Sequence, residues 1–323
     1  MGILIDGQWH DQWYKTRDGE FIREDAQYRH WITQDGRAGP TGDDGFTAES
    51  GRYHLFVSLA CPWAHRTLIF RNLKSLQAHI GVTVVDPKML AHGWVFSEVS
   101  QDNPFPALRY LHQLYTRVKP DYTGRVTVPV LWDKQRGTIV SNESADIIRM
   151  LNRAFNDITR NYRDFYPEAL RGRIDAVNEV VYHGINNGVY KAGFATTQQA
   201  YEKGYDNLFK TLDEIEAILG KHRFLVDDQL TEADWRLFTT LLRFDAVYYS
   251  HFKANKRRIE DYPHLSNYLR DLYQQPGIAE TVDFGHIKTH YYYSHPSINP
   301  TRIIPKGPEI DYTRPHNRAQ LFA

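Results

Sequence analysis

The chain has 323 residues, enough for two domains with sizeable cores. Its 39 Lys and Arg balance 39 Asp and Glu, which removes any electrostatic case for a nucleic-acid or anionic-membrane partner. One cysteine, Cys61, excludes an internal disulfide and suits a reducing compartment. MGILIDGQWHD lacks a basic leader with an apolar run, MGILID lacks the hydroxyl residue of a myristoylation signal, and no apolar run approaches the roughly 18 residues of a membrane span. A soluble cytoplasmic protein is expected.

Residues 1–50 carry scattered aromatics (Trp9, Trp13, Phe21, Tyr28, Trp31) and then glycine- and aspartate-rich sequence from Gly36 to Gly51. They read as an ordered extension wrapped over the body by aromatic anchors. From Arg52 the pattern becomes strand, helix, strand. Tyr53, Leu55 and Val57 alternate with His54, Phe56 and Ser58, and Ile69, Leu73 and Leu76 then recur at helical spacing. Cys61 stands at the junction in SLACPWAHR. Pro62 suits a first helical position because that N–H has no intrahelical partner, so Cys61 is expected at the N-cap. There the unpaired N–H groups and the positive end of the helix dipole favour a thiolate. A cysteine so placed can fall from about 8.5 to somewhere between roughly 3.5 and 7.5 in pKa. His65 and Arg66, one turn in, are expected to add positive charge, unless His65 is simply solvated.

HIGVTVV, His79 to Val85, reads as the second strand. Asp86 to Gly124 shows no strong periodicity, and connections of that length are usually functional. Two strands follow, Arg125 to Asp133 and Gly137 to Ser141, joined by a short turn. Pro129 inside the first fits either a cis X–Pro peptide or a trans proline on an edge strand. A helix capped by Ser141 or Asn142 then buries Ile147, Ile148, Leu151 and Phe155.

This order of elements is that of a thioredoxin-like domain. The rest is helical: Pro167 to Tyr190, Thr197 to Leu219, Thr231 to Ser250 and Pro263 to Gln274. In LTEADW, Thr231 caps, Asp234 reaches back to the Thr231 N–H, and Leu230 staples onto Trp235. Five prolines exclude a helix from Tyr291 onward. The expected architecture is α/β plus all-α: an extension over 1–50, a thioredoxin-like domain over 51–156, an all-helical domain over 165–290 and a tail over 291–323.

A thiol at a helix start in a thioredoxin-like half, followed by an all-helical half, resembles the glutathione transferases. CPWAHR, GWVFS at Gly93 to Ser97, RVTVPVLWD, SNESADIIR, NNGVYKAGFA and INPTRIIPKGP together resemble the glutathionyl-hydroquinone reductases, the xi class, over nearly the whole chain. The resemblance implies a glutathione site made by Trp94, Arg125, Val126, Thr127, Val128, Glu143 and Ser144. Val128 would pair with the tripeptide as with an added strand. The N–H groups of Glu143 and Ser144 would receive its γ-glutamyl carboxylate while Glu143 accepts from its ammonium. Read alone, Glu143 and Ser144 suit simple capping and Trp94 a core anchor. The resemblance also implies Tyr190 as proton donor, with Tyr248 and Tyr291 favouring the ionised thiol. Tyr249, Tyr292 and Tyr293 are adjacent alternatives.

Ala64 stands where a thioredoxin has its second cysteine, so a Cys61–glutathione disulfide must be resolved by a second glutathione. A protein thiolate also favours removing glutathione from a conjugate over adding it. The expected reaction is reduction of glutathionyl-hydroquinones, with glutathione as reductant and no metal, in a homodimer as in the family. A general thiol transferase or dehydroascorbate reductase, and a non-catalytic binder of glutathione conjugates, are the alternatives. His286 and His290 lie i, i+4 on a helix, but no carboxylate or cysteine is in register for zinc.

Overall fold

The computed structural model describes residues 2–97 and 103–322. The chain divides into two compact units, Met1–Tyr14 with Arg23–Arg163, and Lys15–Ile22 with Asp164–Ala323.

The extension begins with β1 (Ile3–Ile5) and β2 (Gln8–His10), an antiparallel hairpin turned at Asp6 and Gly7, both at positive φ. An Asp-Gly pair suits such a turn because glycine, and aspartate more than most residues, tolerate that region. A second hairpin, β3 (Thr16–Arg17) with β4 (Glu20–Phe21), repeats the device at Asp18-Gly19 and lies in the second unit. Next β5 (Trp31–Thr33) and β6 (Gly45–Thr47) pair in parallel.

The first unit continues with β7 (Tyr53–Val57), α1 (Pro62–Leu73), β8 (Gly81–Val84), α2 (His112–Val118), β9 (Gly124–Arg125), β10 (Val130–Asp133), β11 (Thr138–Ser141), α3 (Ser144–Arg153) and the single turn α4 (Asn156–Thr159). Four strands form one sheet in the order β11-β10-β7-β8, with β7 and β8 parallel and the other pairs antiparallel. Both sets of alternating side chains on β7 are buried. His54 is therefore in the core, bonded at Nε2 to Thr83 Oγ1 (2.8 Å), and burial pulls its pKa down to about 4. Asp133 on β10 is fully buried and closed by the Arg52 guanidinium through Nε (2.9 Å) and Nη2 (2.5 Å).

Three expectations for this unit are corrected. The long connection holds a helix, α2, whose seven residues bury only Leu114 and Tyr115, too short a stripe to register as a period; residues 98–102 of that connection lie outside the described residues. The strand expected over Arg125 to Asp133 is broken. Val126–Pro129 leave the ladder; of the two alternatives for Pro129, the cis peptide is the one present. The cap of α3 is Glu143, whose carboxylate accepts from Ala145 N (2.9 Å), and not Ser141 or Asn142.

The second unit contains α5 (Arg171–Val181), α6 (Gly188–Gly193), α7 (Gln198–Leu219), α8 (Glu232–Arg243), α9 (Pro263–Tyr273), α10 (Phe284–Ser294) and α11 (Arg318–Leu321). Two expected helices are interrupted by π-helical turns, Tyr182–Asn186 and Phe244–Tyr248, each closed by a backbone bond spanning five residues: Asn187 N to Tyr182 O and Tyr249 N to Phe244 O. The expectation of no helix from Tyr291 onward is corrected twice: α10 runs on through Ser294, so the tail begins four residues later, and α11 forms one turn beyond Pro315. The first proline is Pro296, and it disfavours helix only at His295, the residue before it.

The capping box at Thr231 and Asp234 is present. Asp234 is fully buried and accepts from Thr231 N (2.8 Å), Leu225 N (2.9 Å) and the Tyr268 hydroxyl (2.8 Å). Burial outweighs these donors and lifts its pKa to about 6. Asp234→Ala removes the cap and strands buried donors, so a loss of about 3 kcal/mol is expected in urea unfolding. The folded state also holds this proton more tightly than the unfolded chain. Wild-type stability relative to Asp234→Asn should therefore fall as pH rises from about 4 through about 6; a flat difference in unfolding free energy across that range would contradict it.

Candidate active site

Cys61 is the N-cap of α1, with extended backbone (φ −74°, ψ 119°), as Pro62 requires of the residue before it. Its half-buried Sγ accepts from Ala64 N (3.5 Å) and donates to the Val128 carbonyl (3.5 Å). The sulfur thus stands between a donor that favours the thiolate and an acceptor that holds the thiol proton. His65 is buried, not solvated. Arg66 is buried too, its guanidinium 4.4 Å over the Trp63 ring and Nη1 3.4 Å from Ser144 Oγ, so its charge is directed at the start of α3. Arg23 stacks on the same indole at 4.9 Å.

Val126, Thr127 and Val128 form the irregular run between β9 and β10. The Thr127 backbone faces inward: its carbonyl accepts from the Tyr115 hydroxyl (2.9 Å), which in turn accepts from Thr127 N (3.3 Å) and Asn142 Nδ2 (3.2 Å). Successive residues of an extended run aim their backbone groups to opposite sides. Thr127 is therefore taken up by the protein and Val128 is turned the other way, towards Cys61.

At α3, Glu143 caps through its own carboxylate. Its N–H, expected to face an anion, is committed to Ser141 Oγ (3.1 Å). Ser144, as the first helical residue, keeps the N–H that helix geometry leaves without an intrahelical acceptor.

Arg125 is placed by the extension. Nη1 and Nη2 donate to the carbonyls of Gln12 (2.6 Å) and Trp13 (2.9 Å), and the guanidinium lies 4.5 Å from the Tyr14 ring centroid. β1 pairs with β9 across Arg125, Gly7 N bonds Tyr122 O, and Gln27 Nε2 bonds Thr123 O (2.9 Å). Trp94 is buried, its carbonyl accepting from Leu111 N. Neighbouring Gly93, at positive φ, leaves room for the Trp9 ring, which stacks on His112 at 4.7 Å. Within the first unit the extension packs Trp9 beside Gly93 and clasps the approach to the segment that carries the cis peptide.

In the second unit Tyr190 (α6), Tyr248 (end of the second π turn) and Tyr291 (α10) meet at their hydroxyls. Tyr291 lies 2.7 Å from Tyr190 and 3.0 Å from Tyr248. All three are buried. Burial, reinforced by the two neighbouring phenols, pushes the Tyr291 pKa well above its usual value. Of the adjacent tyrosines, Tyr292 bonds Ser250 Oγ and the Ala246 carbonyl (3.2 Å), and Tyr293 carries Arg302 over its ring at 5.2 Å. His286 and His290 share α10, and among the described residues no group of three or more His, Cys, Asp or Glu is placed to hold a metal.

Tyr115 and Asn142 were invisible as site residues in the sequence. Tyr115 is one of 21 tyrosines, on a helix too short to show a period, and Asn142 reads as a cap.

Residues 60–154 match the family model of the glutathione S-transferase N-terminal domain, and residues 198–271 that of the C-terminal domain. With the sheet order and the helical second unit, these matches define a glutathione transferase. Glutathionyl-hydroquinone reductase YqjG of Escherichia coli (strain K12) is 56% identical, with 100% of both chains covered. Glutathionyl-hydroquinone reductase PcpF of Sphingobium chlorophenolicum is 50% identical over 95% of this chain and 96% of its own. The glutathione-bound structure of YqjG matches with a TM-score of 0.92 at 53% identity, covering 99% of this chain and 100% of that one. The chain belongs to the glutathionyl-hydroquinone reductases, the xi class of glutathione transferases.

Tyr115→Phe leaves the Thr127 backbone groups and the Asn142 amide without their shared partner. A loss of about 1–3 kcal/mol is expected, read as a lower urea midpoint at unchanged slope.

Proposed function

We propose that this protein reduces glutathionyl-hydroquinones to hydroquinones, with glutathione as the reductant and Cys61 as the nucleophile. The observation that carries the reading is a lone sulfur at a helix N-cap, in contact with Ala64 N and with the Val128 carbonyl beside a cis proline. Membership of the xi class supports the choice of substrate.

The peptide of the conjugate pairs with Val128 and sets its γ-glutamyl end at Glu143 and Ser144, with Trp94, Arg125, Val126 and Thr127 shaping the site. If a peptide N–H takes the Val128 carbonyl, that carbonyl no longer holds the thiol proton, and the Ala64 amide is left to favour the thiolate.

The thiolate attacks the glutathione sulfur. An S–S bond forms, the aryl C–S bond breaks, and its electron pair passes to the ring carbon, which takes a proton from Tyr190. The conjugate's carbon is reduced and the two sulfurs are oxidised. A second glutathione thiolate then attacks the Cys61–glutathione disulfide, releasing glutathione disulfide and the Cys61 thiolate. The second glutathione's proton returns to Tyr190. Tyr291 stays protonated throughout neutral pH and holds the phenols as a chain of donors. The reaction requires no metal, and the protein works as a cytoplasmic homodimer.

Cys61→Ala should lose at least about 10³-fold in turnover, in line with loss of a covalent nucleophile. Wild type treated with conjugate in the absence of free glutathione should gain the mass of one glutathione. Retained turnover in the variant, or no adduct in the wild type, would falsify the covalent route. Tyr190→Phe should lower kcat about 10²–10⁴-fold with little change in KM for glutathione, as expected for a missing general acid; an equal rise in KM at constant kcat would make Tyr190 a binding residue.

A further inference from the structure

Behind the three phenols lies a second aromatic layer, one helical turn further along each element. Tyr190 is followed by Phe194, whose N–H bonds the Tyr190 carbonyl. Tyr248 is followed by His251 and Phe252, and Tyr291 by His295. Phe194, Phe252 and His295 touch one another at 4.9, 5.2 and 6.2 Å between ring centroids. Phe252 also lies against Tyr190 (5.7 Å), Tyr248 (5.3 Å) and Tyr291 (5.7 Å). Gly193 makes room for it, since a Cβ there would stand 2.2 Å from the Phe252 ring.

At the level of this layer a polar link joins the two elements that carry Tyr248 and Tyr291, beside the bonds from Tyr292 to Ser250 and Ala246. His251 Nε2 and His295 Nδ1 share a hydrogen bond of 3.1 Å, and both rings are buried. The separation of Tyr248 and Tyr291 is thus set at one level by their hydroxyls and one turn away by the imidazoles. Burial holds both histidines below their ordinary pKa, so the pair is neutral, one ring donating and the other accepting. A satisfied hydrogen bond in so dry a place is directional, whereas ring packing alone tolerates sliding.

We propose that His251 and His295 are positioning residues, a buried imidazole clamp that keeps the Tyr248 and Tyr291 hydroxyls within hydrogen-bond range and thereby aligns Tyr190 as proton donor. The proposal rests on the reductase reading for its effect on rate, but not for its effect on geometry.

His251→Phe and His295→Phe keep the ring and remove the bond. His251→Gln and His295→Asn return a polar atom near the lost Nε2 and Nδ1. The double Phe variant leaves no unpaired imidazole behind and separates the clamp from the cost of a buried orphan. Expected for folded Phe variants is a drop of about 10- to 100-fold in kcat on a glutathionyl-hydroquinone, of the size a misplaced catalytic group produces. KM for glutathione should not change, and the Gln and Asn variants should regain most of the loss. Crystallography of His295→Phe should show the Tyr248–Tyr291 hydroxyl separation opened beyond hydrogen-bond range.

Wild-type kcat in the Phe variants, equal losses in the polar and Phe variants, or an unchanged 3.0 Å contact would each overturn the clamp. An opened contact in a protein whose wild type never turns over the conjugate would uphold the clamp and remove the reductase reading instead.

Discussion

The structure depends on one sulfur placed between two backbone groups of opposite demand. Ala64 N offers Cys61 a proton to accept, and the Val128 carbonyl offers a place to leave one. Both contacts depend on where those two backbone groups are held, because hydrogen bonds to sulfur are long and weak and do little to hold their own geometry. The helix start is positioned by the chain itself, through Pro62. Val128 is not; it lies in a run that has left the sheet, and the protein must hold it by other means.

Those means come from three parts of the first unit. Tyr115 saturates its hydroxyl on Thr127 and Asn142, one bond given and two received, so the run cannot rotate without breaking several bonds at once. The extension clasps the approach to the run through β1, Gly7, Gln27 and the bonds from Arg125 to Gln12 and Trp13. Arg29 ties the same extension to α3 by a two-pronged pair with Asp146 (2.7 and 2.9 Å), which keeps the cap at Glu143 in register with the sheet. An extension that looks peripheral in the chain therefore supports the site's backbone.

The second unit solves a different problem. Tyr190 follows one π-helical turn and Tyr248 ends the other. One residue added to a helical turn rotates all that follows by about 100°, so a π turn re-aims a side chain without ending the helix, which is why such turns gather at functional sites. With α10 supplying Tyr291, three elements from distant parts of the chain bring their phenols to one point.

Much of this was legible beforehand. Cys61 could be placed at a helix start because Pro62, the strand before it and the helical spacing after it are all local signals, and the capping box at Thr231 and Asp234 is written within four residues. The order of strands and helices followed from periodicity, and the resemblance carried by the longer motifs pointed to the family. Other features were hidden. Pro129 pointed to a cis peptide or an edge position, but the extent of the break back to Val126 was masked because the valines satisfy the strand pattern. The meeting of the Tyr190, Tyr248 and Tyr291 hydroxyls, the π turns, the use of Arg125 by the extension and the His251–His295 pair depend on residues far apart in the chain. Local sequence determined where α1 and α8 begin, because caps and prolines act on adjacent backbone groups. Only the tertiary structure decided which phenols meet and which backbone carbonyl reaches Cys61, because those outcomes arise from packing between segments that no local pattern relates.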